Sequence, residues 1–284
     1  MEIIDGRCRP PSKPVMIDLG RPPDATFFAP RLCAVPLPPS AGPRSYDMFW
    51  QEFAEAKLTK AVFSWRGDTL ASNPPTEVDL TDHVAEEVAN SSGRLVGTIC
   101  VDPLGVQHDP LKEIDRGVKE YGFTAVGMDV MAGKPRMAFN DERLNPIYKK
   151  CADMDLPIIT AVGPLQGAVL EANHPRYVEE ALQQFPNLKL VMSHGPYPFV
   201  AEFIALAMRN PNLYLMPDYQ SFLPGASLYL EAGNGVLSDQ IVFGSAYPII
   251  AIKDAVALYN TFPFSQGNRE KVMGGNIKRL LKLN

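Results

Sequence analysis

Histidine and cysteine are scarce in this sequence, four of each in 284 residues. No stretch reaches the roughly 18 consecutive apolar residues that a membrane-spanning helix requires, so no membrane partner is expected. The cysteines (Cys8, Cys33, Cys100, Cys151) are scattered without a CxxC pair. They therefore offer neither a zinc knot nor a disulfide framework and read as reduced thiols. Runs of Lys and Arg are also missing and the formal net charge is -5, which excludes a nucleic-acid partner, because phosphate contacts need clustered cations. The opening residues lack the basic region, apolar run and small-residue cleavage site of a secretory signal, so a cytoplasmic location is expected. Small-molecule chemistry becomes the default.

What the sequence does contain is alternation. Short, continuous apolar runs recur between longer stretches of helical periodicity, the pattern of repeated βα units around a parallel sheet. The runs cover residues 2–7, 60–65, 95–102, 125–130, 157–162, 189–194, 213–218 and 241–248. Helical spacing covers 109–121, 144–154, 174–185 and 198–209, and helix resumes after the first strand near Tyr46. Eight units predict an α/β fold consisting of one (β/α)8 barrel over residues 1–284, a length that suits a barrel domain of roughly 250 residues. A proline-rich stretch from Pro10 to Arg44 without periodicity reads as an irregular insertion after the first strand.

In such barrels the working side chains project from the carboxyl ends of the strands. The first run ends Asp5-Gly6-Arg7-Cys8-Arg9, and strand alternation puts Arg7 and Arg9 on one face and Cys8 on the other. The second run ends Ser64-Trp65-Arg66, the fourth at Asp129, the fifth at Thr160-Ala161 and the sixth at Ser193-His194. The seventh ends Asp218-Tyr219 and the eighth Ser245-Ala246-Tyr247. His194 is the one histidine among these ends, while His83, His108 and His174 read as surface residues. Lys134 and Arg136 follow the fourth run, where they could close over an acidic ligand. Residues 127–133 lack the glycine spacing of a phosphate loop.

The runs RLVGTICVDP, EIDRGVKEYGFTAVGMDV, NDERLNPIYKKCADMDLPIITAVG, FPNLKLVMSHG and IVFGSAYP, in this order over residues 94 to 248, resemble the amidohydrolase-2 group. That group includes the aminocarboxymuconate-semialdehyde decarboxylases and related hydrolases. The resemblance implies a divalent metal, usually zinc, held by an Asp-x-His-x-His motif ending strand one, a histidine ending strand five and an aspartate ending strand eight. A further histidine ending strand six acts there as acid or base, and the group implies a homodimer.

Residue by residue, this chain departs from that pattern. Arg7 and Arg9 stand at the two histidines of strand one, Ala161 at the strand-five histidine and Ala246 at the aspartate of the usual Gly-Ser-Asp-Tyr-Pro, leaving only His194 matched. Guanidinium groups have no lone pair to donate to a metal. No metal and no other cofactor is therefore expected, unless His194, Asp129 and Asp218 supply replacement ligands.

Two arginines in place of a dication call for a small anionic substrate, since guanidinium pairs with carboxylate bidentately. The alternative is that they pair with Asp5, Asp129 or Asp218 and plug the barrel. His194 is the candidate base, kept neutral by the arginines, with Asp129 or Asp218 orienting it or serving as the base. Arg66, Tyr219, Ser245 and Tyr247 are candidate substrate contacts. The leading expectation is metal-independent hydrolysis of a carboxylate-bearing lactone or amide. Metal-free decarboxylation and a non-catalytic anion-binding protein are the alternatives.

Overall fold

The structure, a computed structural model, describes residues 1–12, 38–65, 78–105, 108–130, 137–163 and 170–284. Its strands are β1 (Ile4–Asp5), β2 (Lys60–Phe63), β3 (Leu95–Gly97), β4 (Ile99–Cys100), β5 (Val126–Gly127), β6 (Ile158–Ala161), β7 (Leu190–Ser193) and β8 (Leu213–Met216). They pair in parallel in the orders β1-β2-β3 and β4-β5-β6-β7-β8. β3 and β4 are the halves of one expected strand, interrupted at Thr98, whose hydroxyl donates to the Phe63 carbonyl at 3.3 Å.

The expected eighth strand, over residues 241–248, is not a regular ladder. Single parallel bridges join it to its neighbours, Leu215 to Ile241 on one side and Cys8 to Tyr247 on the other. Backbone bonds from Val242 N to Leu215 O, from Gly6 N to Phe243 O and from Ala246 N to Arg7 O accompany them. The hydrogen-bonded circuit thereby returns to β1, and the architecture is the (β/α)8 barrel. Two local features break the ladder: the Ser245 hydroxyl accepts from Tyr247 N at 2.9 Å, and Ala246 adopts a left-handed φ of 56°.

The helices are α1 (Tyr46–Glu55), α2 (Leu80–Asn90), α3 (Pro110–Tyr121), α4 (Asn145–Asp153), α5 (Pro175–Gln184), α6 (Val200–Arg209), α7 (Ser227–Gly233) and α8 (Ile252–Thr261), followed by the short α9 (Gln266–Glu270) and α10 (Asn276–Leu280). Their starts are written in the sequence. Ser45, Asp79 and Asp109 accept from first-turn backbone N–H groups that would otherwise lack partners. α3 ends at Gly122 in the left-handed conformation.

Two apolar layers hold the barrel. Ile4, Val62, Ala125, Ile159, Val191, Met216 and Val242 form one cluster. Phe49, Val84, Ile114, Ile147, Val178 and Phe203, each from a helix, pack with strand residues in the other. Burying a large aliphatic or aromatic side chain contributes about 1.5–3 kcal/mol, so these two layers outweigh any surface ion pair. Most of the proline-rich insertion lies outside the described residues. Its return is anchored where Ser40 N and Oγ donate to the Glu52 carboxylate of α1 at 2.9 and 2.8 Å. Among the described residues, no helix is long and apolar enough to cross a membrane.

Candidate active site at the barrel mouth

Arg7 and Arg9 are both buried and line one cavity together with Ser64, Trp65, Asp129 and Ile159. The space they enclose is about 10 Å³, room for about one water molecule. Simple alternation from Ile4, which packs in the Val62 and Val191 cluster, would turn odd-numbered residues away from that side. A local turn changes the parity. Asp5 Oδ1 accepts from Arg7 N at 3.0 Å and from Ser245 N at 2.9 Å, bending the chain at Gly6 and redirecting Arg7 towards the mouth. Cys8 is fully buried in the other apolar cluster, as alternation from Arg7 requires, and burial pushes its thiol well above the ordinary range. The same cause, partly opposed by bonds from Ser245 and Arg7 N, lifts Asp5 to about 7.

His194, at the end of β7, meets Arg7 directly. Arg7 Nη1 donates to His194 Nε2 at 2.8 Å and also to the hydroxyl of Ser193. Ser193 in turn donates to Asp218 Oδ2 at 2.7 Å. Asp218 Oδ2 accepts from His194 N at 2.9 Å, and its Oδ1 lies 2.9 Å from His194 Nδ1. The chemistry of the partners fixes the tautomer: a guanidinium only donates and a carboxylate only accepts, so Nδ1 carries the proton and Nε2 the lone pair. Burial first, then the Arg7 charge, lowers His194 to about 4 against the pull of Asp218. The imidazole is therefore neutral at pH 7. The Tyr219 ring packs against it, centroids 4.6 Å apart.

Left-handed backbone occurs at three of these strand ends. His194, Asp218 and Ala246 have φ of 65°, 42° and 56°, a region costly to side chains with a Cβ and enriched at sites that must hold an exact geometry. Gly127 has a different task. A Cβ there would lie 1.9 Å from the Trp65 carbonyl oxygen, so only glycine lets Trp65 approach β5. Trp65 then receives the Arg9 guanidinium 4.2 Å from its ring centroid.

The structure brings Arg7, Arg9, His194, Asp218 and Tyr219 together, with Asp129 at the cavity wall. Asp129 Oδ1 accepts from Ala161 N at 2.7 Å, while the bonds to His194 come from Asp218. Ser245 and Tyr247 turn elsewhere: Ser245 binds Asp5, and the Tyr247 hydroxyl is 2.7 Å from Ser40 Oγ. The cavity itself is lined by Arg7, Arg9 and Asp129 and by none of His194, Asp218, Tyr219, Ser245 or Tyr247; His194 is tied to it through Arg7. Arg66, Lys134 and Arg136 lie outside the described residues. His83 is not a surface residue, because its side chain is only 12% exposed and its ring bonds Ser12. Ser64, Trp65 and Ser193, named at the strand ends but not singled out as contacts, belong here too: the first two line the cavity and Ser193 links Arg7 to Asp218.

The donor set can be tested against a divalent ion. Arg7 and Arg9 have no lone pair, and Ala161 and Ala246 have no donor atom. His194 Nε2 already accepts from Arg7, and both oxygens of Asp218 are engaged. Among the described residues, no three His, Cys, Asp or Glu side chains are grouped to hold an ion. The residues do not fit the metal implied by the resemblance.

A parallel barrel with an arginine-lined mouth and a histidine–aspartate pair at its strand ends places the chain in the (β/α)8 class. The chain belongs to the amidohydrolase family, whose sequence model matches residues 35–283. An uncharacterized TIM-barrel protein from Bordetella bronchiseptica is 30% identical over 99% of each chain, with a TM-score of 0.87. A dihydroxybenzoic acid decarboxylase from Polaromonas, solved with manganese and the inhibitor 2-nitroresorcinol, is 16% identical over 99% of this chain and 97% of its own, with a TM-score of 0.70. A 5-carboxyvanillate decarboxylase from Sphingomonas paucimobilis is 14% identical over 100% of this chain and 99% of its own, also with a TM-score of 0.70. No curated protein matches the chain.

Proposed function

We propose that this protein is a metal-independent hydrolase of small carboxylate-bearing lactones or amides. The observation that carries the reading is the orientation of His194, whose Nδ1 faces Asp218 and whose Nε2 faces Arg7. Arg7 and Arg9 hold the substrate carboxylate or the oxyanion that develops at the attacked carbonyl. His194 Nε2 takes the proton from the attacking water, the water oxygen bonds to the carbonyl carbon, and the proton then passes to the departing oxygen or nitrogen. Asp218 stabilises the imidazolium formed between these steps. Without a metal-bound hydroxide this base must supply the whole activation of water.

Decarboxylation is the second reading, favoured by solved neighbours that are decarboxylases. There the arginines would hold a carboxylate, and His194 Nε2 would take a proton from solvent and pass it to the ring carbon as the bond to the departing carbon dioxide breaks. If neither reaction occurs, the site is a carboxylate-binding one. Turnover assays on lactones, amides and aromatic acids, read separately for acid formation and for carbon dioxide, distinguish the three. Loss of turnover in His194→Ala supports either enzymatic reading, whereas unchanged turnover overturns the assignment of the base. A cytoplasmic location and a homodimer complete the proposal, the latter testable by sedimentation.

A further inference from the structure

We propose that a substrate carboxylate, by engaging the Arg7 guanidinium, uncovers the lone pair of His194, so that the base becomes available only when the anion is bound. This rests on reading the arginine cavity as a carboxylate site and concerns how that site is regulated.

In the free protein, Arg7 Nη1 is divided between the Ser193 hydroxyl and His194 Nε2, the latter at 2.8 Å. The lone pair that would take a proton is therefore already accepting one hydrogen bond. Both present partners of Nη1 are neutral. A carboxylate offers the same guanidinium bidentate bonds in which both partners are charged, whereas in the present bonds only the donor is. An anion arriving beside Arg7 and Arg9 thus competes for the guanidinium with an imidazole and a hydroxyl, and it has the stronger claim.

Binding changes His194 in two ways with the same sign. Its lone pair loses the Arg7 donor, and the positive field around the ring is neutralised. The charged and titratable groups facing the ring are Arg7 and Arg9 from the end of β1, and Asp218 and Tyr219 after β8. Asp5 and Tyr259 act on Asp218 from behind. Neutralising the two arginines leaves Asp218 as the dominant charge, which favours the protonated ring. The free value of about 4 therefore rises, while burial, its larger cause, still holds it below the ordinary value near 6.5; the result is a stronger base at neutral pH. Because coupling is reciprocal, proton and carboxylate bind cooperatively. Between the free and bound values the complex holds more protons, so binding takes up protons in mildly acidic solution and none well above pH 6.5.

The test is calorimetric titration of the full chain with sodium benzoate at about pH 5.5 and about pH 8, each in two buffers of different ionisation heat. His194 is followed in parallel by nitrogen-15 NMR. The expected result is uptake of a fraction of a proton per benzoate at the lower pH, none at the higher, and a His194 titration raised by about one unit or more. His194→Gln should still bind benzoate but lose the uptake, which separates His194 from Asp5 as the proton acceptor. Benzoate binding without proton uptake and with an unmoved His194 overturns the inference while leaving the carboxylate site standing. Failure of benzoate to bind at either pH overturns both.

Discussion

Asp218 holds His194 at two points, its Oδ1 2.9 Å from the ring Nδ1 and its Oδ2 accepting from the backbone N at 2.9 Å. One buried carboxylate thereby fixes both the tautomer of the ring and the left-handed backbone at 65° that presents it. Asp218→Asn keeps the shape but sets an amide N–H against Nδ1, forcing the proton onto Nε2, where it meets the Arg7 guanidinium. Turnover should fall about 10²- to 10⁴-fold, with carboxylate affinity changed only a few-fold. Steady-state kinetics beside a binding isotherm checks the split.

Arg7→Met and Arg9→Met each remove a charged donor while keeping most of the side-chain volume. Charge-assisted bonds contribute about 1.5–3 kcal/mol each, so the thermal stabilisation by a saturating carboxylate should shrink strongly in either variant and vanish in the double variant. Melting curves with and without benzoate measure this. Undiminished stabilisation in the double variant would place the anion elsewhere.

His194 also sets a pH dependence of stability. Its folded value of about 4 lies below the unfolded value near 6.5. Between these values the unfolded chain binds more protons, so this contribution is complete above pH 6.5 and is lost as pH falls towards 4. His194→Gln removes the dependence. Relative to the wild type, the variant should gain about 2–3 kcal/mol on going from pH 7 to pH 4. Comparing variant with wild type cancels the opposite trend of Asp5, whose raised value of about 7 favours the folded state at low pH. Denaturant titrations at several pH values provide the measurement.

Chelator dialysis should leave turnover and melting temperature unchanged, because Arg7, Arg9, Ala161 and Ala246 cannot coordinate and both oxygens of Asp5 are taken up by Arg7 N and Ser245. Elemental analysis of protein purified without chelator checks the premise. Near-stoichiometric manganese or zinc would sink the metal-independent reading.

Gly127→Ala should destabilise the fold by about 1–3 kcal/mol, since the new methyl would sit 1.9 Å from the Trp65 carbonyl oxygen. The displaced Trp65 would also disturb the Arg9 stack, and carboxylate affinity should drop with stability. Equilibrium unfolding and a binding isotherm on the same variant test both.

The sequence alone determined the alternating elements, because continuous apolar strands and amphipathic helices are local patterns that survive reading one residue at a time. It also determined the replacement of imidazole and carboxylate by guanidinium and methyl groups, which is a matter of side-chain identity. Tertiary structure decided which candidates converge. Asp218 and Asp129 are equivalent on paper, yet only the left-handed turn after β8 carries a carboxylate to both the ring and the backbone of His194. Ser245 and Tyr247 stand at a strand end but turn to Asp5 and Ser40, where the left-handed Ala246 between them breaks regular strand alternation. The Asp5 oxygen that bends the chain at Arg7 also accepts from Ser245 N, 240 residues away. Such long-range closures fix where a side chain points, and no local period encodes them.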